Sequence, residues 1–522
     1  MSAELVRVEQ ILDASGASER IEALLPTGVR PRQLSVRTLL VGMALAMRAG
    51  REAFLTNVHR ALLELPADQK RRLGVIAPWK DGPHELSYRQ LEYTFRLVAG
   101  KLTKPKPDGS PSELLSEVMD RQLEASVAVL GEPQSSSYAV DWTDHETWSR
   151  PPRKRAQRAA AEDLKPTPAN AEQTTPEPDA PCADPEAAWG HRRGHAPGQK
   201  DESFFGYYLQ AATIVKDEHG PEVPELARRV HLASCDHDPP PAFVPVLQRM
   251  HADAIKLSDV IVDSGYSYRQ AEHWALPVRS LGARLIHDLH PNDQGAQGTH
   301  QGATAFNGNL YCPATPRALL ELSPLARAAS TEQTHTHDKL ADELSRYKLS
   351  PITGHDADGY HRVACPATQG KLRCPLRPAS RTLPHTRPQV LQPPEHPPTC
   401  CHQQTITVPP TVNAKTTQKH DYPSRAHRSS YARRSGAERT FSTVTDRATN
   451  DLSRGWCRLM GLTPNALFIT SALIARNLRI ADAFAARQAE QQRRASNGLP
   501  PKQRKRRRQT TDDLITAANA PP

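Results

Sequence analysis

The chain is predicted to be an α/β protein of the α+β kind. One mixed sheet would carry helices on its faces, with an N-terminal helical domain and a large irregular insertion before the last acid-bearing helix. Three observations predict this. Residues 1–130 show helical spacing with recognisable caps. Residues 131–290 run strand, two strands, helix, strand, strand. Residues 291–425 are rich in Pro, His and Thr without clear periodicity, and helical spacing returns at 426–485 before a basic tail at 486–522.

Each element has its own warrant. Ser35 is placed to cap a helix through VRTLLVGMALAMRAG, and Ser87 with Gln90 forms a capping box before YRQLEYTFRLV. The stretch SSSYAVDWTDHETW, 135–148, is an apolar strand that runs straight into Asp141. Residues 150–200 are dense in Pro, Ala and charge and read as a disordered insert. FFGYYLQAATIV, 204–215, is rich in aromatic and β-branched residues and reads as a strand, with LARRVHLASC, 226–235, as its antiparallel partner. PAFVPVLQRMHADA, 241–254, has helical spacing. KLSDVIVDSGYSYRQ, 256–270, is a buried strand ending at Asp263 with a turn at Gly265, and ARLIHDL, 283–289, is a further strand. In the final helical segment the core-facing candidates are Leu459, Met460, Leu467, Ile469, Leu473, Ile474, Leu478 and Phe484, and Gly461 to Pro464 breaks it into two helices.

Composition excludes several classes. The formal net charge is +10, but residues 491–509 hold eight Lys/Arg and no acid, so the excess mostly reports a basic arm that would attract nucleic acid without sequence preference. No apolar run reaches the ~18 residues of a membrane span. The opening MSAELVRVEQ lacks the apolar core of a signal peptide, so a cytoplasmic protein is expected. In that compartment the eight cysteines would not form a disulfide framework. No Gly-rich phosphate loop followed by Lys-Ser/Thr is present, which argues against an ATP-driven engine.

The chemistry is carried by acids. Asp141 and Asp263 each end a short apolar run, where a carboxylate is costly unless it is paired or holds a metal. In SSYARRSGAERTFSTV, 429–444, Tyr431, Arg434 and Glu438 fall within about a quadrant of a helix. Three carboxylates are hard oxygen ligands suited to Mg²⁺ or Mn²⁺. Two such ions about 4 Å apart serve phosphodiester displacement.

Asp141-Trp142-Thr143, Asp263-Ser264-Gly265-Tyr266 and Tyr431-x₂-Arg434-x₃-Glu438, in that order, resemble bacterial insertion-sequence transposases of the DDE class, in the branch with the Tyr-Arg-Glu-Lys signature. The resemblance covers most of 130–290 and 425–485. It implies a ribonuclease H-like catalytic core, with Asp141, Asp263 and Glu438 holding two Mg²⁺ or Mn²⁺ ions and Tyr431 and Arg434 on the phosphate backbone of the element end. It also implies double-stranded DNA partners, namely terminal inverted repeats and target DNA. A homodimer on paired ends, cleavage at the ends and strand transfer complete the expectation. The signature's lysine, seven residues after the glutamate, is here Thr445. A decayed or domesticated DNA-binding relative and a structure-specific nuclease on the same fold stand as alternatives. Removal of residues 1–130, read as an end-binding domain, is the test that would separate transposase from nuclease.

Plainer readings stand beside these. Asp144 and Glu146 compete with Asp141, though a continuing strand points them to the opposite face. Asp263 could be a turn-forming residue only, and Glu438 a surface one. Trp142 reads as core rather than a base-stacking platform. Arg192 and Arg193, in WGHRRGH, are candidate phosphate contacts on what reads as a solvated loop. Cys365-x₈-Cys374-x₂₅-Cys400-Cys401-His402 is a candidate zinc set within the insertion, against a competing reading as reduced, partly buried thiols. Cys182, Cys235, Cys312 and Cys457 are scattered and need no function.

Overall fold

The computed structural model of the chain describes residues 3–26, 32–78, 83–103, 111–151, 182–192, 202–326, 329–356 and 358–501. Arg193, most of the 150–200 insert, and Lys502 with Arg504 to Arg508 of the basic arm lie outside the described residues.

A six-stranded mixed sheet organises the rest. Its strands are β1 (Ser137–Glu146), β2 (Ala188–Arg192), β3 (Glu202–Val215), β4 (Ala227–Ser234), β5 (Asp259–Val262) and β6 (Arg284–His287). Across the sheet the order is β4-β3-β1-β5-β6, with β2 paired to the first residues of β3. The pairs β4-β3 and β3-β1 are antiparallel, whereas β1-β5 and β5-β6 are parallel. All the strands expected from the apolar runs form. The end of the supposed disordered insert is a strand as well: AWGHR is β2, held by pairing to β3 rather than looping into solvent.

The pleat sorts the side chains. Tyr138, Val140, Ala212, Ile214, Val260 and Val262 face one side, where α8 (Pro239–Ala252) brings Phe243, Val246, Leu247 and Met250. Trp142 packs on that side too, against Tyr266 with ring centroids 4.7 Å apart, so it is a core aromatic. Ala139, Val215, Ile261 and Ile286 face the other side with Ala437. This second face also receives the N-terminal helices.

Those helices are α1 (Ala3–Ser15), α2 (Ala17–Glu22), α3 (Val36–Arg48), α4 (Leu55–Leu63), α5 (Ala67–Arg72), α6 (Tyr88–Leu102) and α7 (Glu113–Leu130), with a small hairpin between α5 and α6. Ser35 caps α3 by accepting the Thr38 amide, and Ser87 and Gln90 make the capping box of α6. The helices do not enclose a core of their own. Their apolar faces close around the first half of α12 (Leu462–Ser496), which is buried on every side from Leu462 to Leu478, as a central helix must be. Tyr207, Leu209, Val230 and Leu232 of the sheet belong to the same cluster.

The last segment departs from expectation in one respect. It is broken over 445–461 rather than at Gly461 to Pro464 alone, because α11 (Ser435–Val444) already ends at Thr445. Leu467, Ile469, Leu473, Ile474 and Leu478 are buried as expected, but Met460 sits in the break and is exposed. No helix among the described residues is long and apolar enough to cross a membrane.

The insertion is more ordered than its composition suggests. It holds two three-stranded antiparallel sheets: β7 (Ala296–His300), β8 (Ala303–Phe306) and β9 (Asn309–Tyr311), then β10 (Ser350–Pro351), β11 (His361–Ala364) and β12 (Thr405–Val408). Between them runs α9 (Thr331–Tyr347). Its exit covers the β6 edge: the Lys419 amide donates to the Leu285 carbonyl at 2.9 Å, and the His287 amide donates to the Gln418 side chain at 3.0 Å. An otherwise open parallel edge is thereby closed.

Candidate active site

Strand register brings the first two acids together. Ala139 lies opposite Ile261 in the parallel β1-β5 pair. Two residues further along each strand stand Asp141 and Asp263, level with one another and on the same face as Ala139 and Ile261. The β5-β6 register, with Val262 opposite His287, continues the row to Asp288. Sequence reasoning missed Asp288. The cue was there, since LIHD repeats the apolar-run-then-acid pattern of VIVD.

Asp141 is 9 % exposed. Its Oδ1 accepts the Trp142 amide at 2.9 Å, and its Oδ2 accepts Arg434 Nη1 at 2.8 Å. Burial, and then the Asp263 carboxylate, push Asp141 up to about 7, and Arg434 offsets only part of this. Asp263 ends β5 and caps a one-turn helix, Ser264–Ser267, by accepting the Gly265 amide at 2.9 Å. Gly265 has a second reason to be glycine: a Cβ there would stand 2.3 Å from Trp142 Cη2. The turn-forming reading of Asp263 is therefore true as far as it goes, and the same side chain still faces Asp141.

The helix side is built differently from the single stripe expected. α10 (Arg425–Tyr431) and α11 are separated by a 3₁₀ turn, Ala432–Arg434. Three residues per turn aligns Tyr431 with Arg434. α11 then lies directly on β3, because Gly436 has no side chain: a Cβ would come within 2.5 Å of Val215 Cγ1. Arg433 and Arg434 splay apart. Arg433 is buried and pairs with Asp259 at 2.9 Å, anchoring the turn to the start of β5, while Arg434 bridges Asp141 and Glu438.

Tyr431 stacks on His427 at 5.6 Å with its ring nearly parallel, and the Arg434 guanidinium lies 5.7 Å from its centroid. Burial raises the Tyr431 hydroxyl above its usual range, with Asp288, Asp263 and Asp141 all adding to it. The phenol is therefore within electrostatic reach of all three aspartates. Glu438 is half exposed at the rim, in the first turn of α11. Thr445 caps the C-terminus of α11, its hydroxyl donating to the Phe441 carbonyl at 3.1 Å.

The other candidates stand elsewhere. Arg192, on β2, pairs with Asp144 and Glu146 on the opposite face of β1, so both rivals of Asp141 and one candidate phosphate contact neutralise each other. Cys365, Cys374 and Cys400 are buried, Cys401 is half-buried, and His402 is exposed. As the side chains stand, no group of three His, Cys, Asp or Glu among the described residues is arranged to hold a metal ion. At the acid row the reason is visible, since Arg434 stands between Asp141 and Glu438. The donors nevertheless suit a hard divalent cation: they are all carboxylate oxygens, and Asp141, raised first by burial, is raised further by the Asp263 carboxylate beside it.

No protein-family model matches the chain, and no curated protein matches it.

Proposed function

We propose that the chain is a DDE-class transposase on a ribonuclease H-like core, cutting DNA at element ends and joining those ends to target DNA. One observation carries the reading: Asp141 and Asp263 are level on adjacent parallel strands, on the face where α11 presents Glu438. The sheet order supports it, with three antiparallel strands followed by two parallel ones. Asp141, Asp263 and Glu438 would hold Mg²⁺ or Mn²⁺, which when bound supplies the Lewis acidity needed to deprotonate water or a 3′-hydroxyl and to stabilise the leaving oxygen.

The protein's own groups have separate tasks. Arg434 is a mobile countercharge: it neutralises Asp141 and Glu438 in the resting site and is placed to turn onto a DNA phosphate when cations take over that task. Tyr431 steadies the guanidinium through ring contact at the edge of the acid row. Arg433 and Gly436 hold the helix at the height that sets Glu438 opposite the aspartates. Double-stranded DNA is the substrate in this reading, and two chains act on paired ends.

Cleavage and strand transfer test it, using the inverted repeats that flank the gene and either metal. Wild type is expected to cut at the ends and join them to target DNA, while Asp141→Ala, Asp263→Ala and Glu438→Ala bind the ends without cutting. Cutting without joining would favour the nuclease. A second reading, a relative that binds without cutting, draws on Thr445 in the lysine position. Binding with no cleavage under either metal would support it, and Thr445→Lys would then be the variant to assay.

A further inference from the structure

The insertion repeats one local structure three times. Cys312-Pro313-Ala314-Thr315, Cys365-Pro366-Ala367-Thr368 and Cys374-Pro375-Leu376-Arg377 share the Cys-Pro start. In each, the cysteine carbonyl accepts the amide three residues on, at 3.0 Å in all three. Proline at the second position presets φ for such a turn. Thr315 and Thr368 add hydroxyl bonds to the same carbonyls, at 2.6 and 2.7 Å. Burial raises the Cys312 and Cys374 thiols, and in these first and third turns the amide after the proline, close to the cysteine sulfur, offsets part of that rise. Composition alone explains none of this: packing needs apolar thiols, not one turn used three times.

The three turns meet. Cys312, Cys365 and Cys374 belong to one buried cluster with Tyr311, Tyr347 and Leu372. A fourth thiol arrives on the one-turn helix Thr399–His402. Two hydrogen bonds tie that helix to the turns: the Cys365 amide donates to the Gln404 carbonyl at 3.4 Å, and Arg377 Nη2 donates to the Gln403 carbonyl at 2.5 Å. Cys401 is within electrostatic reach of Cys312 and Cys374. Cys400 is within the same reach of Cys312 and Cys365, but it is buried in the core of the neighbouring cluster with Ala303, Val363 and Ile406, whereas Cys401 packs only at that cluster's margin and His402 is exposed.

We propose that Cys312, Cys365, Cys374 and Cys401 are the four ligands of a structural zinc ion that locks the two small sheets of the insertion together. A closed set of four thiolates is the donor type of a structural zinc site, with no open position for chemistry. In the arrangement at hand the set is gathered but not closed: among the described residues no three thiols surround one point, and Cys401 interacts with its neighbour Cys400. Closure turns Cys401 away from Cys400, forms four Zn–S bonds and releases the thiol protons to solvent. The ion has a physical purpose, since the apolar residues of the insertion are split between two small clusters. Small cores of this kind are commonly stapled by metal. Cys312, which looked incidental in the sequence, becomes a ligand in this assignment, and Cys400 drops out.

The test uses the full chain, purified without chelator, and zinc itself as the probe. Elemental analysis is expected to give about one zinc per chain, as for a single tetrahedral site. Cobalt substitution should give the intense visible bands of tetrahedral thiolate coordination. Cys312→Ser, Cys365→Ser, Cys374→Ser and Cys401→Ser should each lose most of the metal, while Cys400→Ser and Cys457→Ser keep it. For any variant that fails to fold, thiol labelling of wild type decides: four thiols should be protected with zinc and react after chelation. Absence of zinc, zinc retained in all four ligand variants, or equal labelling with and without chelator would overturn the proposal. None of these readouts depends on DNA cleavage, so this inference and the transposase reading can fail separately.

Discussion

Asp141 is held almost out of water between a second carboxylate and a single guanidinium, and its behaviour with pH follows. Its carboxyl is raised from the usual carboxylate range to about 7. The folded chain without metal therefore keeps a proton that the unfolded chain has released. The stability this proton contributes is complete below pH ~4 and is lost as pH rises through about 7. Asp141→Asn is expected to stabilise the metal-free chain at pH 8, by on the order of 2 kcal/mol, and to change little at pH 4. Thermal melts in EDTA at the two pH values check this, and an equal shift at both would rule it out. Metal competes with that proton, so added Mg²⁺ should raise wild-type stability more at pH 8 than at pH 6. Gly265 gives a second residue-level test. Gly265→Ala pushes a methyl against Trp142 and is expected to cost about 1–3 kcal/mol. Trp142→Phe in the same chain should recover part of the loss if that contact is the cause. The two aspartates were legible because an apolar run ending in an acid is rare enough to notice. Arg434 was legible only as a cation on the right stripe, because its bond to Asp141 joins positions 293 residues apart and depends on how α11 settles on the sheet.

Elements are joined here by charge as well as by apolar contact. Arg229 on β4 is 1 % exposed and reaches Glu124 of α7 and Asp253 beyond α8, while its neighbour Arg228 shares Glu124. One carboxylate thus serves two guanidiniums at the seam between the N-terminal helices and the sheet. Removing it leaves buried cations under-compensated, so Glu124→Ala is expected to lower stability by about 3 kcal/mol. Glu124→Gln, which keeps some hydrogen bonds, should cost less. Urea titration orders the two, and a Glu124→Ala midpoint equal to wild type would show the seam to be apolar in effect. Helix starts were readable here because caps are local chemistry: Ser35 and the Ser87–Gln90 pair act within four residues. The 3₁₀ turn before α11 was not, because Gly436 and the close approach of Val215 impose it from outside the segment. β2 was hidden for a related reason, since AWGHR is not strand-like by itself and forms by pairing with the start of β3.

At the scale of the molecule, the N-terminal helices and the insertion look alike as appendages in the sequence, yet they are attached differently. α1 to α4, α6 and α7 share one cluster with α12 and with the sheet, so residues such as Leu5, Leu39, Leu91 and Phe468 belong to a single core that draws on most of the chain. Removing residues 1–130, attractive as a test of end recognition, would strip the buried half of α12 and one face of the sheet. That truncation is expected to give aggregated or dye-binding material rather than a nuclease lacking specificity. The insertion has clusters of its own, and its two ends are already adjacent: Lys415 pairs with Asp293 at 2.8 Å. Replacing residues 295–413 with a short Gly/Ser linker closes a gap the fold has already closed, at little entropic cost. That variant keeps Gln418 and Lys419 on the β6 edge, and Tyr422 on Asp288. It is expected to remain soluble, to unfold in one cooperative step within a few degrees of wild type, and to retain the acid row. Size-exclusion chromatography, dye binding and thermal unfolding on the two deletions decide the matter together. If the excised chain aggregates while the N-terminal truncation stays soluble, the division of the core drawn here is wrong. If the order is as expected, end recognition must be mapped by point changes on the helical surface rather than by cutting the helices away.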